Sequence, residues 1–530
     1  MTLKEAVLID GNSLTIDDLV QVSQGRVPVT LSQEAVSRIE QSRRIVEGWV
    51  KSQRIVYGVT TGFGAMCDRI VPATEARRLQ GNLVRSHSAG AGRCFDSDVV
   101  RAMMLCRVNV LAKGYSGVRL RLVEQLIEMI NREIHPRVPE IGSVGASGDL
   151  APLAHIALAA MGEGYVERGG TVLPSAEAFR SARLEPLQLD SKEGLALING
   201  TSAMTGLGAL AIFGSERLVR AADIVAAMSL EGLLASVEPS DERIHLVKPH
   251  PGQIACARNI RRLLAQSSLV RRDQDSMPSV EKRGHERVWQ IERKIQDAYS
   301  LRCIPQVMGA VRASVAFARQ TVEIEMNSAS DNPLVFSKED KALHGGNFHG
   351  QNVASAMDLL SVALTEIGNI SERRAARLLD ESLSVELPPF LAGEEPGVSC
   401  GLMRIQYVAS ALVAENRVLA TPTSIQSVPT NANNQDIVSM GLVSARNANK
   451  ILQNSERILA VELISSAQAI DFRGPQNIGR GTGAAHRFIR EKVAPIREDR
   501  ALYGDLELVT DLIRSGDLID HVEKSVGKLD

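Results

Sequence analysis

Residues 436–470 read DIVSMGLVSARNANKILQNSERILAVELISSAQAI, with no proline and, apart from Gly441, no glycine. Apolar side chains recur there every three or four positions, the period of an α-helix, and they fall on more than one face. A helix of that length spans roughly 50 Å. It cannot cover its own apolar surface, so the pattern predicts a bundle of long helices. Residues 402–419, 353–379 and 202–234 carry the same spacing. The last of these follows Asn199-Gly200-Thr201-Ser202, which reads as a helix entry with Asn199 as its cap. Strand signal is confined to short pieces: residues 164–167, turned by Gly169-Gly170 into 171–173, read as a hairpin. The fold expected is mainly α. Punctuation divides it into an N-terminal mixed helix and loop region at 1–200, a long-helix core at 201–470, and a helical tail at 471–530 after the Arg473-Gly474-Pro475 break.

Composition narrows the function classes. The 60 basic and 62 acidic side chains leave a net charge of -2, which builds no field for nucleic acid or an anionic membrane. Aromatic content of 3% does not suit a base-stacking surface. No uninterrupted apolar run approaches the ~20 residues that span a bilayer. The N-terminus lacks a secretory apolar core, so a cytoplasmic location is the expectation. Cys67, Cys94, Cys106, Cys256, Cys303 and Cys400 are scattered without a Cys-x-x-Cys pair and read as reduced thiols. The histidines show no ligand spacing, and no metal is expected.

Two glycine clusters fail as nucleotide sites: Gly206 and Gly208 lie inside a helical pattern, and Gly479–Gly483 lacks the Lys-Ser/Thr of a P-loop. Ser147 and Ser116 both lack the final glycine of a hydrolase elbow.

Ala146-Ser147-Gly148, inside Gly142–Leu153, has a different potential. In a tight enough bend the Gly148 amide nitrogen can attack the Ala146 carbonyl carbon. Loss of that oxygen and of the Ser147 hydroxyl as two waters leaves a 4-methylideneimidazole-5-one ring, an electrophile made of backbone. Small residues suit the approach.

Polar residues recur in loops beside small ones. Tyr57 sits in Tyr-Gly-Val-Thr-Thr-Gly-Phe-Gly, which a core does not need. Gln296, Tyr299 and Arg302 fall at i, i+3 and i+6 and share a broad face if helical. Arg302 can clamp a carboxylate through two donors. Gly345–Gln351 joins glycines to Asn347, Phe348 and His349. Glu415 follows Ala411-Leu412-Val413-Ala414, where an unpaired carboxylate is costly.

These motifs, with Asn-Leu-Val-Arg-Ser-His-Ser-Ala-Gly from 82, Ala-Leu-Ile-Asn-Gly-Thr from 196, Ala-Tyr-Ser-Leu-Arg-Cys from 298 and Asn-Gln-Asp-Ile-Val-Ser-Met from 434, occur in one order from about Gln53 to Ile470. The chain resembles the aromatic amino acid ammonia-lyases and 2,3-aminomutases that carry the methylideneimidazolone ring. The resemblance implies the long-helix, fumarase/aspartase-like architecture and a ring from Ala146, Ser147 and Gly148, with no external cofactor. It implies Tyr57 as the base for a β-proton and Tyr299 as an aid to the electrophile or departing amine. Asn199 and Arg302 would hold the substrate carboxylate, supported by Gln296, Gln351 and Gln435. Phe348 would pack beside the ring, and Glu415 would sit near the substrate amine or a polar side chain. A homotetramer with sites at subunit interfaces is implied too. A Tyr base must ionise in part, which asks for nearby donors or positive charge.

Substrate class is read after Asn82-Leu83-Val84. Ser86-His87 resembles histidine and some tyrosine enzymes, since a histidine can hydrogen-bond an imidazole or a phenol. Asn434-Gln435-Asp436 departs from the Gln-Glu-Asp of histidine lyases, so tyrosine, eliminated to 4-coumarate, is the expected substrate. A tyrosine 2,3-aminomutase giving β-tyrosine and a histidine ammonia-lyase are the alternatives. A non-catalytic helical scaffold would explain the helices but not the polar loops, and a fumarase-like lyase lacks its Gly-Ser-Ser signature here.

Overall fold

The computed structural model describes residues 5–272, 280–281, 290–291 and 295–530. Helices dominate, and the four long apolar patterns all form: Ser202–Gly232, Gln351–Leu379, Ile405–Leu419 and Gly441–Arg473. A further helix, Ile304–Met326, adds to them. The expected hairpin pairs Tyr165–Arg168 with Thr171–Pro174 and joins His135–Pro136 in a three-stranded sheet.

One boundary moves. Residues 436–440 are not helical, because Met440 takes a left-handed φ of 56° and donates its N–H to the Val144 carbonyl at 2.9 Å. That segment is committed to a loop elsewhere in the chain, and the helix begins only at Gly441.

The chain divides into two compact units: Met1–Phe213 with Phe317–Leu359 and Pro422–Asn449, and Gly214–Ala316 with Leu360–Thr421 and Lys450–Asp530. Neither is continuous in sequence, because four of the long helices contribute residues to both.

In the first unit, the helix Ser97–Ala112 is buried from Val100 to Ala112 and packs against Ile16–Ser23 and Leu120–Asn131. The helix Ala76–His87 packs against Leu150–Ala160 and Glu193–Ile198. Residues of these last three helices, among them Leu83, His87, Leu150 and Leu195, line the site below. In the second unit, Arg374 and Glu462 form a buried pair at 2.5 Å, and Ser229 and Ser371 each donate to the same carboxylate at 2.6 Å. With its lone pairs filled, that buried charge is compensated.

Among the described residues one helix, Gln351–Leu379, is long and apolar enough to cross a membrane by length and composition. Asp358 and Glu366 interrupt its apolar run, and 72% of its most apolar window is buried.

Candidate active site

The site is built around the loop that enters the helix Leu150–Ala160. Ser147 and Gly148 have φ of 52° and 79°, a left-handed pair that folds the chain back so that the Gly148 N–H donates to the Gly145 carbonyl at 3.3 Å. A Cβ on Gly148 would stand 2.2 Å from the Gly200 carbonyl oxygen. One on Gly200, itself at φ 139°, would stand 2.3 Å from the Ser330 oxygen. Only glycines let these backbones touch. The contact is a short ladder: Asp149 N–H donates to the Gly200 carbonyl at 2.8 Å, and Gly200 N–H to the Ser147 carbonyl at 3.2 Å.

Side chains complete the clamp. Ser143 Oγ accepts the Gly145 N–H at 3.1 Å. Gln435 Nε2 donates to Ser147 Oγ at 2.9 Å, while its own carbonyl accepts from Thr430. Asp149 is fully buried, and its carboxylate accepts the Met204 N–H at 2.8 Å. Burial pushes the Asp149 carboxyl up to about 7, against the pull of the Met204 and Ser143 donors.

This loop opens on a cavity of about 880 Å³, lined by Ala146, Ser147, Tyr57, His87, Asn199, Phe348 and Gln435 among others. Tyr57 is half-buried, and its hydroxyl oxygen accepts the Gly64 N–H at 3.0 Å. The loop that carries it is tied down by Thr60 and Thr61, which accept the Val56 and Gly58 N–H groups. Gln80, buried, bridges Gly58 and Leu195. Burial pushes the Tyr57 phenol above its ordinary value and outweighs the Gly64 donor, so in this geometry the phenol keeps its proton at neutral pH. Burial thus works against the lowered pKa that would favour a phenolate, and the deprotonated form grows only toward alkaline pH.

His87 Nδ1 lies 2.9 Å from the Leu83 carbonyl oxygen. A carbonyl only accepts, so the proton is assigned to Nδ1 and Nε2 is left as the acceptor.

Asn199 does not cap the helix Ser202–Gly232; it ends the short helix Glu193–Ile198, and its Oδ1 is buried without a partner. The cap comes instead from Asp149, through space. Gln296 shares no helical face with Tyr299 and Arg302, because the helix starts only at Tyr299 after an extended Ala298. Within that turn the Arg302 guanidinium stacks 4.7 Å from the Tyr299 ring centre. Glu415 is neither buried nor unpaired: the helix turns it outward, and its carboxylate accepts from Asn454 at 2.7 Å. Gln296, Tyr299, Arg302 and Glu415 belong to the second unit and do not line the cavity, and neither does Gln351.

Three further residues contribute that the sequence does not single out. Asp149 lies within Gly142–Leu153, and Gln80 carries no local signal of its own. Arg107, the third, is fully buried, and its Nη1 donates to the Asn199 carbonyl at 2.7 Å. A lone cation inside Met103-Met104-Leu105-Cys106-Arg107-Val108 was the signal available for it.

The arrangement therefore bends Ala146-Ser147-Gly148 tightly, orients the serine hydroxyl, and faces the result with a phenol and an imidazole acceptor. The sequence profile of the aromatic amino acid lyases matches residues 14–491. A histidine ammonia-lyase of Caldanaerobacter subterraneus subsp. tengcongensis is 47% identical over 98% of this chain and 99% of its own. The crystal structure of tyrosine aminomutase from Streptomyces globisporus is 42% identical with a TM-score of 0.93, over 99% of this chain and 100% of that one. The histidine ammonia-lyase of Trypanosoma cruzi is 38% identical with a TM-score of 0.88, over 98% and 96%. The fold is the mainly helical one of the fumarase/aspartase-like class.

These relatives overturn tyrosine as the expected substrate of a lyase. Those at 43–47% identity over nearly the full chain are histidine ammonia-lyases. The physical reason lies in His87: a phenol O–H and an imidazole N–H are both donors, so an acceptor at Nε2 does not separate them. The chain belongs to the aromatic amino acid lyase family.

Proposed function

We propose that this protein removes ammonia from L-histidine to give urocanate, using an electrophilic ring formed from Ala146, Ser147 and Gly148. The observation that carries the reading is the convergence of that loop with Tyr57 and His87 on one cavity. The identity to histidine ammonia-lyases supports histidine over other aromatic amino acids. A scaffold role would leave these convergent polar groups without purpose.

The residues fit the ring. Gly148 touches Gly200 where no side chain could stand, Ser147 is already left-handed, and Gln435 holds its hydroxyl. Once formed, the ring supplies an electrophilic methylene that turns the substrate amine into a better leaving group. The chain's own side chains do the rest. His87 Nε2 accepts the imidazole N–H of the substrate and sets its ring. Tyr57 Oη removes the β-proton from its deprotonated form, a minor species at neutral pH because burial raises the phenol's pKa, and proton transfer by a positioned side chain of this kind contributes about 10²–10⁴ in rate. The Asn199 amide, whose Oδ1 has no other partner, orients the amino acid end. Tyr299 is 71% exposed, and we infer that Tyr299 and Arg302 act in the site of another copy within a homotetramer.

The test is incubation with L-histidine, followed by the absorbance of the conjugated acid and by ammonia release, beside Ser147→Ala. Urocanate from the unaltered protein alone supports the reading. Untouched histidine with β-tyrosine formed from L-tyrosine would move the protein to the aminomutases, the second reading that the 42% identity to the Streptomyces enzyme supports.

A further inference from the structure

Arg107 lies on the helix Ser97–Ala112, is fully buried, and has no part in the reaction above. Its Nη1 donates to the Asn199 carbonyl at 2.7 Å. The same peptide plane carries the Gly200 N–H, which donates to the Ser147 carbonyl at 3.2 Å, and the Gly200 carbonyl then accepts from Asp149 at 2.8 Å. One peptide thus has its oxygen held by a guanidinium and its N–H holding the middle of the loop.

Packing alone does not account for a cation there. Nε and Nη2 are buried without partners. The Lys192–Asp331 pair, at 2.7 Å and fully buried, already balances one of the two carboxylates whose charges act on the guanidinium; Asp149 is the other. A buried charge that keeps unpartnered donors costs stability, and methionine would fill the space more cheaply. What Arg107 adds is a rigid, charge-assisted hydrogen bond to one carbonyl.

We propose that Arg107 is a positioning residue for formation of the ring: by fixing the Asn199–Gly200 peptide it holds the loop bent, with the Gly148 nitrogen facing the Ala146 carbonyl carbon. The inference rests on the ring reading given above. In the closure, the Gly148 nitrogen bonds to the Ala146 carbonyl carbon. The Ala146 oxygen leaves as water with the amide protons of Gly148 and Ser147, and a C=N bond forms between Ala146 and Ser147. The Ser147 hydroxyl leaves with its Cα proton as a second water, giving the Cα=Cβ bond. No oxidant or co-reactant enters. The step depends on geometry, and an error of about 1 Å costs about a hundredfold.

The experiment is the intact mass of the full chain over time after synthesis, with circular dichroism and thermal midpoint as measures of folding. Unaltered protein is expected to be lighter than its sequence by two waters. Arg107→Met is expected to fold yet to lose the waters about a hundredfold more slowly, and Arg107→Lys, which keeps charge and a donor, to recover part of the rate. Arg101→Met is the control. It removes another buried arginine from the same helix, one that donates to the Val22 and Ile130 carbonyls, and should lose both waters on time. A purely structural role would slow both variants alike. Folded Arg107→Met that loses its waters at the unaltered rate overturns the proposal; should that variant not fold, the same criterion applies to Arg107→Lys. Unaltered protein at its full sequence mass overturns the ring reading itself, and this inference with it.

Discussion

The Asp149 carboxylate accepts the Met204 N–H at 2.8 Å, so the residue that closes the Ala146–Gly148 loop also caps the helix Ser202–Gly232. The amide of Asp149 meanwhile donates to Gly200, just before that helix. Loop and helix start are one hydrogen-bonded unit, and a change in either reaches the other.

Asp149 makes this unit sensitive to pH. Burial raises its carboxyl from 3.8 to about 7, so in that interval the native chain holds a proton that the unfolded chain has released. Its contribution to stability is fully present below 3.8 and is lost as pH rises through about 7. Asp149→Asn keeps an acceptor for Met204 and removes the titration, so its urea midpoint should lack this downward slope. Asp149→Ala should lose the cap as well, about 1 kcal/mol. Identical slopes in the unaltered protein and Asp149→Asn would contradict the assignment.

Gly148→Ala places a Cβ 2.2 Å from the Gly200 oxygen at φ 79°. The loop must leave its bend, at a cost of more than about 1 kcal/mol. Intact mass is expected to retain both waters, and activity to be absent.

Tyr57→Phe removes the phenol and one acceptor of the Gly64 N–H. The rate should fall about 10²–10⁴, with little change in thermal midpoint. Because burial raises the phenol's pKa, the unaltered enzyme should speed up toward alkaline pH, and the variant should not. A pH–rate profile decides.

His87→Leu removes the ring acceptor left by the Nδ1 bond to Leu83. Loss of one hydrogen bond of this kind, about 1 kcal/mol, raises KM for L-histidine about five- to tenfold. Steady-state kinetics with folded protein reads this directly.

The long helices were legible because apolar periodicity over fifteen or more residues is a local signal of burial. Positions where tertiary contacts outbid the local pattern were not. Met440 is claimed by Val144, which delays the last long helix to Gly441, and Asp149 takes the capping role that the local sequence gives to Asn199. Glu415 and Arg107 are both charges in apolar helical stretches, yet Glu415 faces outward and Arg107 is wholly buried. A sequence window records the charge but not the direction in which its helix face looks.

The sequence by itself determined the helical class, the Gly-rich loops and the Ala146-Ser147-Gly148 tripeptide within one of them, since each is a property of neighbouring residues. The tertiary structure decided what those residues meet: Gly200 against Gly148, Gln435 on the Ser147 hydroxyl, Tyr57 and His87 around one cavity, and Arg107 beneath them. Such meetings depend on which helix faces pack together, and that is a balance of contacts over the whole chain. His87 by itself does not choose between imidazole and phenol, because a single acceptor nitrogen suits either donor.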